Sequence, residues 1–355
     1  MIGIHENADP TVPAPTSPTQ RPREEELDAL KALAIIGVVW IHGSRLLSSS
    51  SRTRVVFDTF AFAVPVFVTI WAYFLERSLS RTDAPWDVIR RRFIALLVPY
   101  MFWSAAFCVL AGTYRGVSPS TLINGIFLGY GWAGQGFLLL LLQLLPLFPF
   151  LRPLITTRRT VVLCVLTVPI FALFGYILWK IRVVERVGYR PFFYWLPYVF
   201  IGVTAARLPR PARDWRFVPL ALALLSLPAV EDHFLRATGH YHGTYTTPAT
   251  FLATLGVLYV FYVGCRGLAA PATLVFIGQN TFGIYVLNPW FVHFGTAWLQ
   301  GRFSAKGWPI VDDAVMPVLS VGLIVAGCLL VTVTLRRIGL GILLGEWSPP
   351  RASPK

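Results

Sequence analysis

The sequence predicts an all-α integral membrane protein, a bundle of about ten transmembrane helices. Three observations carry that prediction. The 355 residues are 55% hydrophobic and only 14% charged, whereas a soluble domain of ordinary composition is about 25% charged. Apolar runs recur along the chain, most near the roughly 17–25 residues that a membrane span needs. The charge is lopsided, 31 Lys and Arg against 17 Asp and Glu, and the connectors between runs hold it unequally. The same figures exclude a disordered chain, and no soluble basic domain is present to support nucleic-acid binding.

The runs fall near 29–48, 56–75, 93–112, 135–151, 160–179, 191–206, 216–231, 248–265, 273–299 and 314–335. The sixth and seventh are short and interrupted by proline, and the ninth reads as a short span followed by an interfacial segment. Residues 1–26 are rich in Pro, Thr and Ser, end in Glu24–Glu26, and lack the basic start and short apolar core of a signal peptide. They are expected to form a disordered cytoplasmic tail. Residues 27–338 then form the transmembrane domain, and 339–355 a short basic, Pro-rich C-terminal tail. With the N-terminus inside, inner segments hold 19 Lys and Arg, outer segments 11, and Lys31 lies within the first span. The positive-inside rule thus places both termini in the cytoplasm. The four cysteines, Cys108, Cys164, Cys265 and Cys328, lie in or beside apolar runs without metal-ligand spacing, and no metal is expected.

Ionisable residues inside a membrane are costly and mark function. The first run, LDALKALAIIGVVWIHGSR, carries Asp28, Lys31 and His42. The eleven residues from Lys31 to His42 make three helical turns plus about 20°, so both lie on one face, about 16 Å apart along the axis. Asp28 sits one turn below Lys31, close to the same face. Imidazole moves protons near neutral pH, which makes His42 the leading catalytic candidate, with Lys31 and Asp28 its companions.

The string D-x-x-K-A-x-A-I-x-x-V-x-x-x-H resembles the opening signature of the acyltransferase-3 family of multi-span membrane acyltransferases. Further segments resemble later landmarks of that family, in order: FAVPVFVTIWAYFLERS (62–78), RRRFIALLVPYMFWS (90–104), GFLLLLLQLLPLFPFL (136–151), YWLPYVFIGVTAAR (194–207) and FIGQNTFGIYVLNPWF (276–291). Three departures stand out. Trp71-Ala72 replaces a usual Ser-Gly, Gly136 a usual Trp, and Asn288 a usual His.

The resemblance implies a multi-pass enzyme of the bacterial cytoplasmic membrane. Such an enzyme moves an acyl group, commonly acetyl, from acyl-CoA to a sugar hydroxyl in a polysaccharide, glycolipid or glycoconjugate. His42 would act as general base or form an acyl-imidazole. Arg90, Arg91 and Arg92 suit the phosphates of acyl-CoA, since guanidinium groups bind phosphate as forks, and equally suit lipid headgroups. Glu231, Asp232, Tyr285 and Asn288 are candidates for the acceptor site, and membrane lipid is the other expected partner. A transporter or flippase for a polysaccharide or lipid-linked sugar is the competing reading, because transporters also carry polar sites among many spans. Paired repeats are absent, which favours the enzyme.

Overall fold

The computed structural model describes residues 24–47, 59–115, 118–129, 132, 134–180, 191–237, 245–303 and 315–346. Within them the chain is helical, without a strand. The helices are α1 (Glu25–Leu47), α2 (Ala63–Leu79, extended by a 3₁₀ turn at Phe60–Phe62), α3 (Pro85–Arg115), α4 (Pro119–Leu128) and α5 (Gln135–Leu151). Then come α6 (Thr157–Lys180), α7 (Leu196–Arg207), α8 (Val218–Ala223), α9 (Leu227–Ala237) and α10 (Pro248–Tyr259). The last are α11 (Ala272–Gln279), α12 (Thr281–Phe303) and α13 (Met316–Arg337).

Among the described residues, six helical segments are long and apolar enough to cross a membrane. They are Phe60–Leu79, Pro85–Leu110, Gln135–Leu154, Thr157–Ile177, Val218–Leu235 and Pro317–Arg337, with Pro248–Gly264 as a shorter apolar helix. The protein is therefore an all-α membrane protein, but six segments take the place of the expected ten. The physical reasons are local. The expected span at 191–206 yields only a 3₁₀ turn and the 12-residue α7. The expected ninth span breaks at Asn280, whose Nδ2 donates to the Phe276 carbonyl at 2.7 Å while Arg336 donates to its Oδ1.

Proline sets several boundaries. It opens α3 and α4 and α10, where a missing N–H costs nothing. At α10 the Thr247 side chain also accepts from the Thr250 N–H. Proline also lies inside α3, α5, α6 and α12; at Pro289 of α12 the freed Tyr285 carbonyl accepts from Asn288 Nδ2 of the same helix at 2.6 Å. Two glycines let helices touch. A Cβ on Gly278 would lie 2.0 Å from the Asp28 carbonyl oxygen, and one on Gly202 2.2 Å from that of Thr69. Close approach of backbones through small residues is how helices gain contact in a membrane. It seats α11 against α1 and α7 against α2.

α1 lies at the centre of this packing. Leu30, Ile35, Val38 and Val39 are buried, in one core with Val66, Ile70 and Leu75 of α2 and Ile284 and Val286 of α12. By contrast α6 exposes Val161, Val162, Val165, Leu166, Leu173 and Ile177. Such a face suits lipid.

Candidate functional site

α1 places Asp28, Lys31 and His42 on one stripe, with Ile35 and Val38 between the charged pair and the imidazole. Lys31 Nζ lies 2.6 Å from Asp28 Oδ1 and 5.7 Å from the centre of the Phe74 ring on α2. Asp28 is only 4% exposed. A buried charge persists only with a partner, and Lys31 is that partner. His42 lies half-buried about 16 Å further along α1. Its depth follows from Gly43, whose Cβ position is 3.7 Å from Ile324 Cδ1 in the middle of α13.

Around Lys31 the bundle end is dense with charge. Arg77 Nη1 donates to Glu24 Oε1 at 2.5 Å and to the Tyr73 hydroxyl at 2.7 Å. Arg210 pairs with Glu26 at 2.6 Å, and Glu25 accepts from the Ala270 N–H at 3.2 Å. Glu76, 1% exposed, is clasped by Arg152 and Arg207, each at 2.9 Å. Arg207 also donates to the Ile155 and Arg152 carbonyls at 2.6 and 2.9 Å. Ends of α2, α5 and α7 are thereby joined through one carboxylate. At the exposed rim, the Arg216 guanidinium beside Asp214 holds that carboxyl below the usual carboxylate range.

The expected arginine triplet does not act as one cluster. Arg90 is exposed. Arg91 Nε donates to the Asp87 carbonyl of its own helix at 3.2 Å, and Arg92 turns inward to Ser78 Oγ at 2.7 Å. Glu231 reaches the Thr247 side chain and the Ala249 N–H at the start of α10, where a carboxylate complements the helix dipole. Asp232 is half-buried beside it on α9. His240 and His242 lie outside the described residues.

Tyr285 donates its hydroxyl to the Gly134 carbonyl. Gly134 sits at φ 91° just before α5, with Tyr285 Oη 2.7 Å from where a Cβ would stand, so glycine is required there. Beside it, the fully buried Gln135 donates to Ser104 Oγ at 2.9 Å, and Trp132 Nε1 donates to the same oxygen at 3.3 Å. Phe107 stacks on Trp132 at 5.3 Å and meets Trp290 at 4.4 Å. Asn288, 1% exposed, spends its Nδ2 on the Tyr285 and Ile284 carbonyls. Its Oδ1 has no hydrogen-bond partner among the described residues.

The structure thus brings Asp28 and Lys31 together, sets His42 on their stripe at the other half of the bundle, and keeps Glu231 apart at the start of α10. Sequence reasoning missed the Glu76 clasp and the partners of Glu24–Glu26. The expected second span stopped at residue 75, one position short of Glu76. A buried carboxylate at a span end has the same local sequence as a hydrated one.

No curated protein and no solved structure matches this chain. A family profile, described as an acyltransferase domain, matches residues 24–337. That match begins at Glu24, which pairs with Arg77, and ends at Arg337, the last residue of α13. With nearly the whole chain covered, the protein belongs to the acyltransferase-3 family of membrane acyltransferases.

Proposed function

We propose that this acyltransferase moves an acyl group, acetyl being the expected one, from acyl-CoA to a hydroxyl of a sugar in a polysaccharide, glycolipid or glycoconjugate. The observation that carries the reading is the α1 stripe. A paired lysine at the charged end is separated by two apolar side chains from a half-buried imidazole near the other end of α1. The charged end gathers Arg77, Arg152, Arg207 and Arg210. By the positive-inside rule it faces the cytoplasm, where acyl-CoA is found, and both described ends of the chain lie on that side.

In this reading the acyl-pantetheine arm enters from the charged end, and its thioester meets the acceptor hydroxyl near His42. His42 takes the hydroxyl proton as the oxygen attacks the thioester carbonyl. The new C–O bond forms, the C–S bond breaks, and the departing thiolate receives the proton from the imidazolium. Lys31 lies at the donor end of the stripe, and Asn288 offers its unpartnered Oδ1 to an acceptor hydroxyl.

The test uses full-length protein in proteoliposomes with labelled acetyl-CoA and a glycan acceptor. His42→Ala is expected to abolish label transfer while acyl-CoA still binds. Retained transfer would remove His42 from the chemistry. Movement of glycan without label incorporation would favour the transporter reading.

A further inference from the structure

The strap of non-helical chain between α7 and α8, residues 208–217, crosses the charged end of the bundle. Arg210 anchors it. Its Nε donates to the Tyr262 carbonyl at 3.0 Å, its Nη1 lies 2.6 Å from Glu26 Oε1, and its guanidinium sits 4.6 Å above the Tyr262 ring. Its Nη2 is buried and has no hydrogen-bond partner among the described residues. A buried guanidinium nitrogen without an acceptor is costly and calls for one.

The surroundings suit an anion. Tyr262 belongs to a π-helical turn, Val260–Gly264, that follows α10. Turns of that kind recur at functional sites. The Tyr262 ring meets Tyr73 edge-on at 6.0 Å, and Tyr73 carries the Arg77 guanidinium at 5.3 Å from its ring centre. Arg266 donates to the Arg210 carbonyl at 2.7 Å and to the Pro211 carbonyl, fixing the strap from below. Arg77 and Arg210 are each held by a single carboxylate, Glu24 and Glu26. Glu24 stands just before α1 and is 22% exposed, so it can turn to water and free Arg77.

We propose that Arg210 and Arg77 form an anion subsite that takes a phosphate group of the donor's nucleotide, with Glu26 and Glu24 as resting counter-ions. The identity of the donor rests on the acyl-CoA reading above; the anion chemistry does not. Phosphate oxygens accept the forked donors of guanidinium groups, including the unpartnered Nη2. The neighbouring carboxylates compete for the same nitrogens. Arg90 and Arg91, exposed at the start of α3, are not part of this subsite.

Two substitutions separate the subsite from a purely structural ion pair. Purified full-length protein in detergent is titrated calorimetrically with adenosine 3′,5′-bisphosphate and with inorganic pyrophosphate. Arg210→Gln is expected to weaken both by about tenfold or more. Arg210→Lys, which keeps the charge and loses the fork, falls between it and the wild type. Glu26→Gln, which removes the competing carboxylate, is expected to tighten both by a few-fold. Opposite signs for Arg210 and Glu26 support the subsite. Equal loss in both, unchanged binding in folded Arg210→Gln or Arg210→Lys protein, or loss confined to Arg90→Gln and Arg91→Gln overturns it. Absence of binding by the wild type also overturns it and leaves the His42 test standing. Binding that persists while His42→Ala stays active fails the catalytic reading alone.

Discussion

The charged end of the bundle and the half that carries His42 use polar groups in opposite ways. At the charged end nearly every ionised side chain is answered. Glu76 has two arginines, Glu24 has Arg77 and Tyr73, Glu26 has Arg210, and Asp28 has Lys31. In the half that carries His42, buried polar atoms stand without hydrogen-bond partners among the described residues: Trp40 Nε1, Asn288 Oδ1 and Ser320 Oγ. A satisfied network locks helices together, and an unsatisfied buried group weakens the fold unless something else binds it. The first region frames the molecule and leaves Arg210 Nη2 open to an anion, whereas the second is where a polar acceptor gains most by entering.

The largest test of this contrast is Glu76→Ala. It strips Arg152 and Arg207 of their shared carboxylate and is expected to cost about 2–3 kcal/mol, read as a fall in the thermal unfolding midpoint of the detergent-solubilised protein. A loss below about 1 kcal/mol would mean that the arginines find water or other carboxylates, and the frame would lie elsewhere. Next comes Gly278→Ala. The new methyl meets the rigid Asp28 backbone and is expected to cost about 1–3 kcal/mol. Because it moves α1 against α11, transfer activity should fall in the surviving folded fraction; full activity there would uncouple the α1 stripe from the reaction.

In the other half, Asn288→Leu removes an acceptor with no partner among the described residues together with the Nδ2 donor to the Tyr285 and Ile284 carbonyls, so the unfolding midpoint is expected to fall by about 1–3 kcal/mol while transfer to the glycan drops about tenfold or more. A stability loss with unchanged transfer would make Asn288 a structural residue. The smallest effect is expected for Trp40→Phe. It deletes a buried donor that has no hydrogen-bond partner among the described residues and keeps most of the ring, so stability should change by less than about 1 kcal/mol. A large loss would show that Nε1 has a partner and would erase the contrast at that position.

Much of this was legible beforehand, for stated reasons. A helical stripe follows from spacing alone, so Asp28, Lys31 and His42 were readable as one face of α1. The start of α5 and most helix positions also follow from apolar runs bounded by Pro and Gly. The Arg90–Arg92 triplet misled because adjacent residues on a helix diverge by about 100°. Arg92 consequently meets Ser78 on α2 while Arg90 faces outward. The partners of Glu231 were not legible for a different reason. Its partners, Thr247 and the Ala249 N–H, belong to a helix that begins ten or more residues later.

The sequence by itself determined that this is a helical membrane protein of the acyltransferase-3 kind, with charge gathered at alternate connectors and a Lys–His stripe on its first helix. Composition and periodicity are local properties, and they survive without knowledge of what packs where. Only the tertiary structure decided which charges meet. Glu76 is joined to Arg152 and Arg207 across 76 and 131 residues of chain. Arg210 reaches Glu26 through a strap whose path depends on Tyr262 and Arg266. Such pairs are set by which helix ends come together once the apolar faces are buried, and no local pattern encodes that meeting.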